Sequence, residues 1–238
     1  MNLLLLRPEE LAPDGTARLT GRRLMHAREV LRASAGDVLR VGVLGGRRGI
    51  AEVQALSESE LVLRAKVDDP PPPRPGVDLL LAMPRPKALR KVLPAAASLG
   101  VDRIVLVNAA RVEKSYFDSK VLASVEELSM LGLEQARDTI LPQVVVRERF
   151  RPYVEDELDP MFEGHVRLLA HPAAQERAPQ PDGRVVIAIG PEGGWVPFEI
   201  DLLQAHGFTP FTLGPRTLRV EVAVPYALGA ISRSRINP

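Results

Sequence analysis

The stretch VVIAIGPEGGWVPFEIDLLQAHGFTPFTLGPRTLRVEV, residues 185–222, decides the fold. Residues 185–189 form an uninterrupted apolar run, short enough for a strand buried on both faces as in a parallel sheet. The run stops at Gly190-Pro191-Glu192-Gly193-Gly194. Glycine there permits positive φ and leaves no Cβ between the backbone and a ligand. A helix signal follows at once. Pro197 suits a first helical position, Glu199 and Asp201 lie near the positive end of the helix dipole, and Gly207 after His206 marks the stop. A second unit repeats the plan, with a strand over 209–213 and the loop Gly214-Pro215-Arg216-Thr217-Leu218-Arg219 before another helical segment. Two glycine loops at the carboxyl ends of two strands predict the ligand crevice of an open α/β sheet.

Outward from this stretch, the chain from residue 77 alternates between two patterns. Strands are expected over 77–83, 103–107, 143–146 and 166–170, with helices over 87–99 and roughly 120–137, which predicts a largely parallel α/β sheet. Pro94 falls inside the first helix and predicts a kink or an earlier end. Residues 70–76 hold five prolines in seven positions, which favours a stiff extended spacer and sets a boundary. The expected organisation is a β domain over 1–69, a linker over 70–76 and an α/β domain over 77–238. In the first part, strand-like segments at 39–44 and 49–56 flank the turn 45–48, another strand spans 60–67, and a short helix spans 21–31.

The 238 residues suffice for two small domains, and 45% hydrophobic with 26% charged residues is ordinary for a globular protein. The absence of cysteine excludes disulfides, thiolate metal sites and a cysteine nucleophile, and suits a cytoplasmic protein. The run Leu3 to Leu6 is too short for a membrane span, so no membrane partner is expected. The net charge of +1 says little, but its distribution is uneven. Residues 1–67 carry eleven Lys/Arg against eight Asp/Glu. Lys87, Arg90 and Lys91 share one helical face by their spacing, and Arg111 and Lys114 follow the strand at 103–107. The acidic run 155–159 stands apart and is expected to face away from a polyanion. A solvated surface is the plainer alternative for each of these runs.

The glycine loops match neither G-x-x-x-x-G-K-[ST] nor G-x-G-x-x-G, so a phosphate cradle is the weaker reading. IAIGPEGG followed by LGPRTLRVEVA resembles the C-terminal signature of the RsmE family of ribosomal RNA methyltransferases, members of the knotted SPOUT superfamily. HAREVLRASAGDVLRVG is similar to that family's PUA-like N-terminal domain, and RPKALRKVL, RVEKSYF and LEQARDTILP resemble its middle. The chain departs from the family pattern at Val222, where Thr usually follows the Glu. It departs at residues 95–100 (AAASLG), where better-known members have K-A-T-E-L-G. It departs also at Asp138, where they carry Arg.

The resemblance implies a SPOUT-type α/β domain with a C-terminal trefoil knot, preceded by a small β-rich PUA-like barrel, and a homodimer with sites at the subunit interface. It implies S-adenosylmethionine as cofactor, methylation of N3 of a uridine, and 16S ribosomal RNA or the small ribosomal subunit as partner. Expected cofactor contacts are Leu169, Ala170 and His171 from one strand end, Ile189, Gly190, Pro191, Glu192, Gly193 and Gly194 from the first loop, and Leu213, Gly214 and Leu218 from the second. Expected RNA contacts are Arg7, His26, Arg28, Arg32, Lys87, Arg90, Lys91, Arg111 and Lys114.

Methyl transfer from a sulfonium is an in-line displacement that requires positioning but no metal. Uracil N3 carries a proton, so a base must remove it or cations must stabilise the anion. Glu192 or Glu221 is the candidate base, with Arg219 or Arg216 stabilising charge and His171 a further candidate. A cap or ion-pair role is the alternative for each glutamate. Two other functions fit the same residues: a related enzyme with another base or a ribose hydroxyl as target, and an RNA-binding adaptor without catalysis.

Overall fold

A computed structural model describes residues 2–179 and 181–232. Residues 1 and 180 and the end of the expected second domain, 233–238, lie outside it. The chain divides into two compact units, 1–73 with 130–141, and 74–129 with 142–238. The sequence pattern placed 77–238 in one domain, whereas packing groups 130–141 with the first unit.

The first unit is a five-stranded sheet of β1 (Leu4–Leu6), β2 (Thr16–Leu19), β3 (Val38–Val43), β4 (Arg48–Leu56) and β5 (Leu61–Asp69), in the order β1-β3-β4-β5-β2. Only β1 and β3 pair in parallel. Apolar residues at every second position supply its core, including Leu4, Leu6, Val41, Ala51, Val53, Leu61 and Leu63. Helix α1 (Gly21–Met25) continues as a π turn over His26–Val30, where the Leu31 amide donates to the His26 carbonyl. The 130–141 segment is fastened by charge and by a turn. Glu134, almost fully buried, pairs with Arg22 at 2.9 Å. Arg137 adopts φ 58°, and Asp138 Oδ1 then accepts from the amides of Thr139 (2.6 Å) and Ile140 (3.1 Å). Asp138 is therefore the side chain that caps this turn.

The second unit is built on a six-stranded sheet: β6 (Val77–Ala82), β7 (Arg103–Val107), β8 (Gln143–Arg147), β9 (Val166–Ala170), β10 (Val185–Ile189) and β11 (Thr209–Phe211). All pairings are parallel and the order is β11-β9-β10-β6-β7-β8. Strands β6 and β10 lie in the middle, and every residue of both is buried, which is why they are apolar runs apart from Asp78 in β6. Core clusters cover both faces. One contains Leu79, Leu81, Ile187 and Ile189; the other contains Leu80, Leu169, Ala188 and Trp195.

Helices α2 (Pro86–Ser98) and α3 (Val125–Ala136) precede the short α4 (Phe150–Pro152) and α5 (Leu158–Met161), followed by α6 (Pro197–Ala205) and α7 (Val220–Ser232). Helix α2 runs through Pro94 without ending. The ring removes the bond to the Arg90 carbonyl, and the Ser98 hydroxyl donates to the Pro94 carbonyl one turn later at 2.8 Å. Buried Val220, Ala223, Val224, Ala227, Leu228 and Ile231 give α7 an apolar face at helical spacing. No described helix is long and apolar enough to cross a membrane.

Candidate functional site

In a parallel sheet all strand ends share one edge, and here the ends of β9, β10 and β11 open into a cavity of about 410 Å³. Its walls include Ala170 and His171 after β9, Ile189 to Trp195 after β10, and Leu213, Gly214, Arg216, Thr217 and Leu218 after β11, closed by Val220 and Ala223 of α7. The structure thus brings together His171, Gly190, Pro191, Glu192, Gly193, Gly194 and the rest of the expected cofactor set, with one correction. Leu169 is fully buried in the core on the opposite sheet face. Side chains alternate along a strand, so Ala170 and Leu169 point to opposite faces.

In the first loop glycine fits one position by conformation and two by close approach. Gly194 has φ 74°, and its amide donates to the Pro191 carbonyl at 2.8 Å to close the turn. A Cβ on Gly190 would lie 3.1–3.2 Å from Trp195 atoms, and one on Gly193 would lie 3.0 Å from Arg111 Cδ. Trp195 is buried against Phe150, ring centroids 5.6 Å apart. Its Nε1 has no hydrogen-bond partner among the described residues. In the second loop Gly214 has φ 109° with nothing near a hypothetical Cβ, so conformation alone requires glycine there.

Arg111, expected to contact RNA, lines the cavity and donates through Nη1 to the Gly193 carbonyl. Lys91, also expected to contact RNA, is 3.4 Å from Glu221 Oε1, linking α2 to the first turn of α7. Lys87, Arg90 and Lys114 are exposed in the second unit; Arg28 and Arg32 are exposed in the first, with Arg7 and His26 half-buried there. Arg28 lies 3.3 Å from Glu29. The acidic run is not a bare negative face. Glu155, Glu157 and Asp159 pair with Arg151, Arg147 and Arg167, so its charge is largely neutralised locally.

Each candidate base is engaged within the chain. The Glu221 carboxyl is held below the ordinary glutamate range, mainly by its own backbone amide at the helix start and then by Lys91. Glu192, exposed on the loop, accepts from the Arg85 amide at 3.1 Å and ties the loop to the start of α2. His171 Nδ1 accepts from the Ala173 amide at 3.3 Å, so its neutral ring presents Nε2–H rather than a lone pair. Arg219 and Glu221 are not among the cavity walls, whereas Arg216 is. No described group of His, Asp and Glu could hold a metal ion.

Sequence reasoning missed the structural task of Glu199. This carboxylate is 3% exposed and accepts from the Val196 amide (2.9 Å) and the Ala110 amide (2.6 Å). The signal was an acidic residue at the third helical position, but its partner after β7 lies 89 residues away.

Comparison with known proteins agrees with this architecture. A family model described as an RNA methyltransferase domain matches residues 71–232. Ribosomal RNA small subunit methyltransferase E of Treponema pallidum is 33% identical, over 97% of this chain and 90% of that protein. Its namesake from Synechocystis is 27% identical over 96% of this chain and 76% of that protein. The solved fold of the Neisseria gonorrhoeae enzyme of that name, bound to S-adenosyl methionine, superposes with TM-score 0.78, 24% identity and coverage of 97% and 96% of the two chains. A putative methyltransferase from Legionella pneumophila, solved with the same cofactor, gives TM-score 0.79 at 24% identity, covering 98% and 97%. The match spans both units and includes the paired glycine loops: the chain belongs to the ribosomal RNA small subunit methyltransferase E family of RNA methyltransferases.

Proposed function

We propose that the chain methylates N3 of a uridine in the RNA of the small ribosomal subunit, with S-adenosylmethionine held in the cavity at the ends of β9, β10 and β11. The observation that carries this reading is the convergence of the two glycine loops on one cavity. Its volume lies in the range of small-molecule sites, and Ile189, Leu213, Leu218, Val220 and Ala223 supply apolar walls suited to an adenine ring. The glycine backbones let polar main-chain groups approach, and the buried Trp195 indole N–H is a donor without a protein partner among the described residues. The cofactor supplies an electrophilic methyl group on a sulfonium.

The residues of this chain then orient the acceptor and handle charge. The carboxylate of Glu221 is stabilised in its ionised form, and that of Glu192 is engaged with the Arg85 amide, so both act as structural ties rather than as bases. Arg216 on the cavity wall and Arg219 beside α7 are assigned to stabilising the uracil anion, whose N3 proton leaves to solvent. Arg28, Arg32, Lys87, Arg90 and Lys114 are assigned to the RNA backbone, with Arg7 and His26 as further contacts.

The topology supports a trefoil knot. Strand β10 is inserted between β6 and β9, and the chain then passes beyond β9 to form β11. The first unit is assigned as PUA-like. Val222 and Tyr226, four residues apart and about half exposed on α7, provide an outer face for a homodimer contact. A cytoplasmic location follows from the proposed substrate.

Mass spectrometry of ribosomal RNA nucleosides from a strain lacking the gene, with and without complementation, tests the assignment. Loss of 3-methyluridine and its return on complementation is expected. Loss of a different methylated nucleoside would assign another target, and no change would leave an adaptor.

A further inference from the structure

The loop after β7 reaches the cavity only through Arg111, and two hydrogen-bonding arrangements fix it there. Arg111 donates to the Gly193 carbonyl, and its aliphatic stem packs so close that a Cβ at Gly193 would lie 3.0 Å from Cδ and 3.2 Å from Cβ of Arg111. One residue earlier in the chain, the Ala110 amide donates to Glu199 Oε1 at 2.6 Å, while Glu199 Oε2 accepts from the Val196 amide at 2.9 Å. Glu199 is 3% exposed. A carboxylate removed from water is tolerated where each oxygen finds a donor, and charged acceptors make the stronger hydrogen bonds. Both donors are backbone amides flanking the first glycine loop and the β7 loop.

We propose that Glu199 is a positioning residue of the cofactor site. It holds the loop at 108–112 against the start of α6 so that Arg111 closes over Gly193 and completes one cavity wall. Glu199 does not touch the cavity and acts through Arg111. The inference rests on the proposed binding of S-adenosylmethionine there. An ordinary helix cap needs only the Val196 bond; the second oxygen, spent on a loop 89 residues away, is what a cap leaves unexplained.

The test is a double-mutant cycle read in cofactor affinity. S-adenosylmethionine is titrated calorimetrically into wild type, Glu199→Gln, Arg111→Ala and the double variant, with thermal melting of each. Glutamine keeps size and one acceptor but sets an NH₂ group against an amide donor, so the chain folds while the loop is released. Each single variant is expected to weaken binding about tenfold, and the double variant no further than Arg111→Ala alone. The Arg111→Ala protein should melt close to wild type, because Arg111 is an exposed residue. Additive losses, or a Glu199→Gln protein that binds as wild type does, would overturn the positioning role. If wild type itself does not bind the cofactor, the proposed site fails rather than the coupling.

Discussion

The two ends of the parallel sheet in the second unit are chemically opposite. At the amino ends of the strands, charge is paired around one buried carboxylate. Asp78, fully buried, accepts from Arg184 (3.1 Å) and faces His165 Nε2 (2.8 Å), while Asp102 joins Arg184 (3.1 Å) to Arg74 (2.8 Å). At the carboxyl ends of β9, β10 and β11, glycines and apolar side chains, with Arg111, His171, Glu192 and Arg216 among them, line open space. The amino end uses side-chain charge to bind strand to strand. The carboxyl end leaves its backbone available to a ligand. Stability and binding should therefore respond to different substitutions.

The largest effect should come from the carboxyl end. Gly193→Val drives a branched side chain into the space held by Arg111 and is expected to weaken S-adenosylmethionine binding by about 100-fold, ~2.7 kcal/mol. The melting temperature should stay near that of wild type. Calorimetric titration beside thermal melting checks both, and equal loss of stability would erase the distinction between the ends.

The reciprocal change lies at the amino end. Asp78→Asn weakens the acceptor shared by His165 and Arg184 and should cost about 1–3 kcal/mol of stability by denaturant melting. Cofactor affinity should be unchanged.

A smaller effect is expected from Glu221→Gln. A carboxylate already stabilised as the anion is a poor base, so single-turnover methyl transfer should fall less than tenfold. A loss of about 1,000-fold would restore Glu221 as the base.

Acid should also act at the amino end. Arg167 and then His206 hold the Asp159 carboxyl below its ordinary value of 3.8. A depressed carboxylate contributes stability above its unfolded value, and that contribution is lost as pH falls through the folded value. Asp159 is about half exposed, so the expected loss is a fraction of a kcal/mol. Asp159→Asn should lower stability slightly at pH 7, where the contribution is present, and converge with wild type as pH falls well below 4, where the contribution is lost.

How far the sequence revealed this contrast depended on range. The glycine loops were legible because glycine and proline requirements are local: φ 74° at Gly194 and the turn closed by Pro191 involve neighbours in the chain. Buried strands were legible as continuous apolar runs, although Asp78 inside one of them gave no sign of its partners, 87 and 106 residues away. The tie made by Arg111 was hidden for the same reason. A cation after a strand looks like a phosphate contact until the Gly193 carbonyl, 82 residues on, is seen to accept from it. The grouping of 130–141 with the first unit was likewise invisible, since it rests on pairs such as Arg22 with Glu134. Asp138 stood out as a departure from the family pattern, and its reason emerged only from the two amides it caps.

The most direct measurement is transfer itself. Small ribosomal subunits from the deletion strain are incubated with the purified protein and S-adenosylmethionine carrying a deuterated methyl group, and their nucleosides are resolved by mass spectrometry. The account predicts deuterated 3-methyluridine with wild type and almost none with Gly193→Val. A label on another nucleoside, or equal labelling by both proteins, would contradict it.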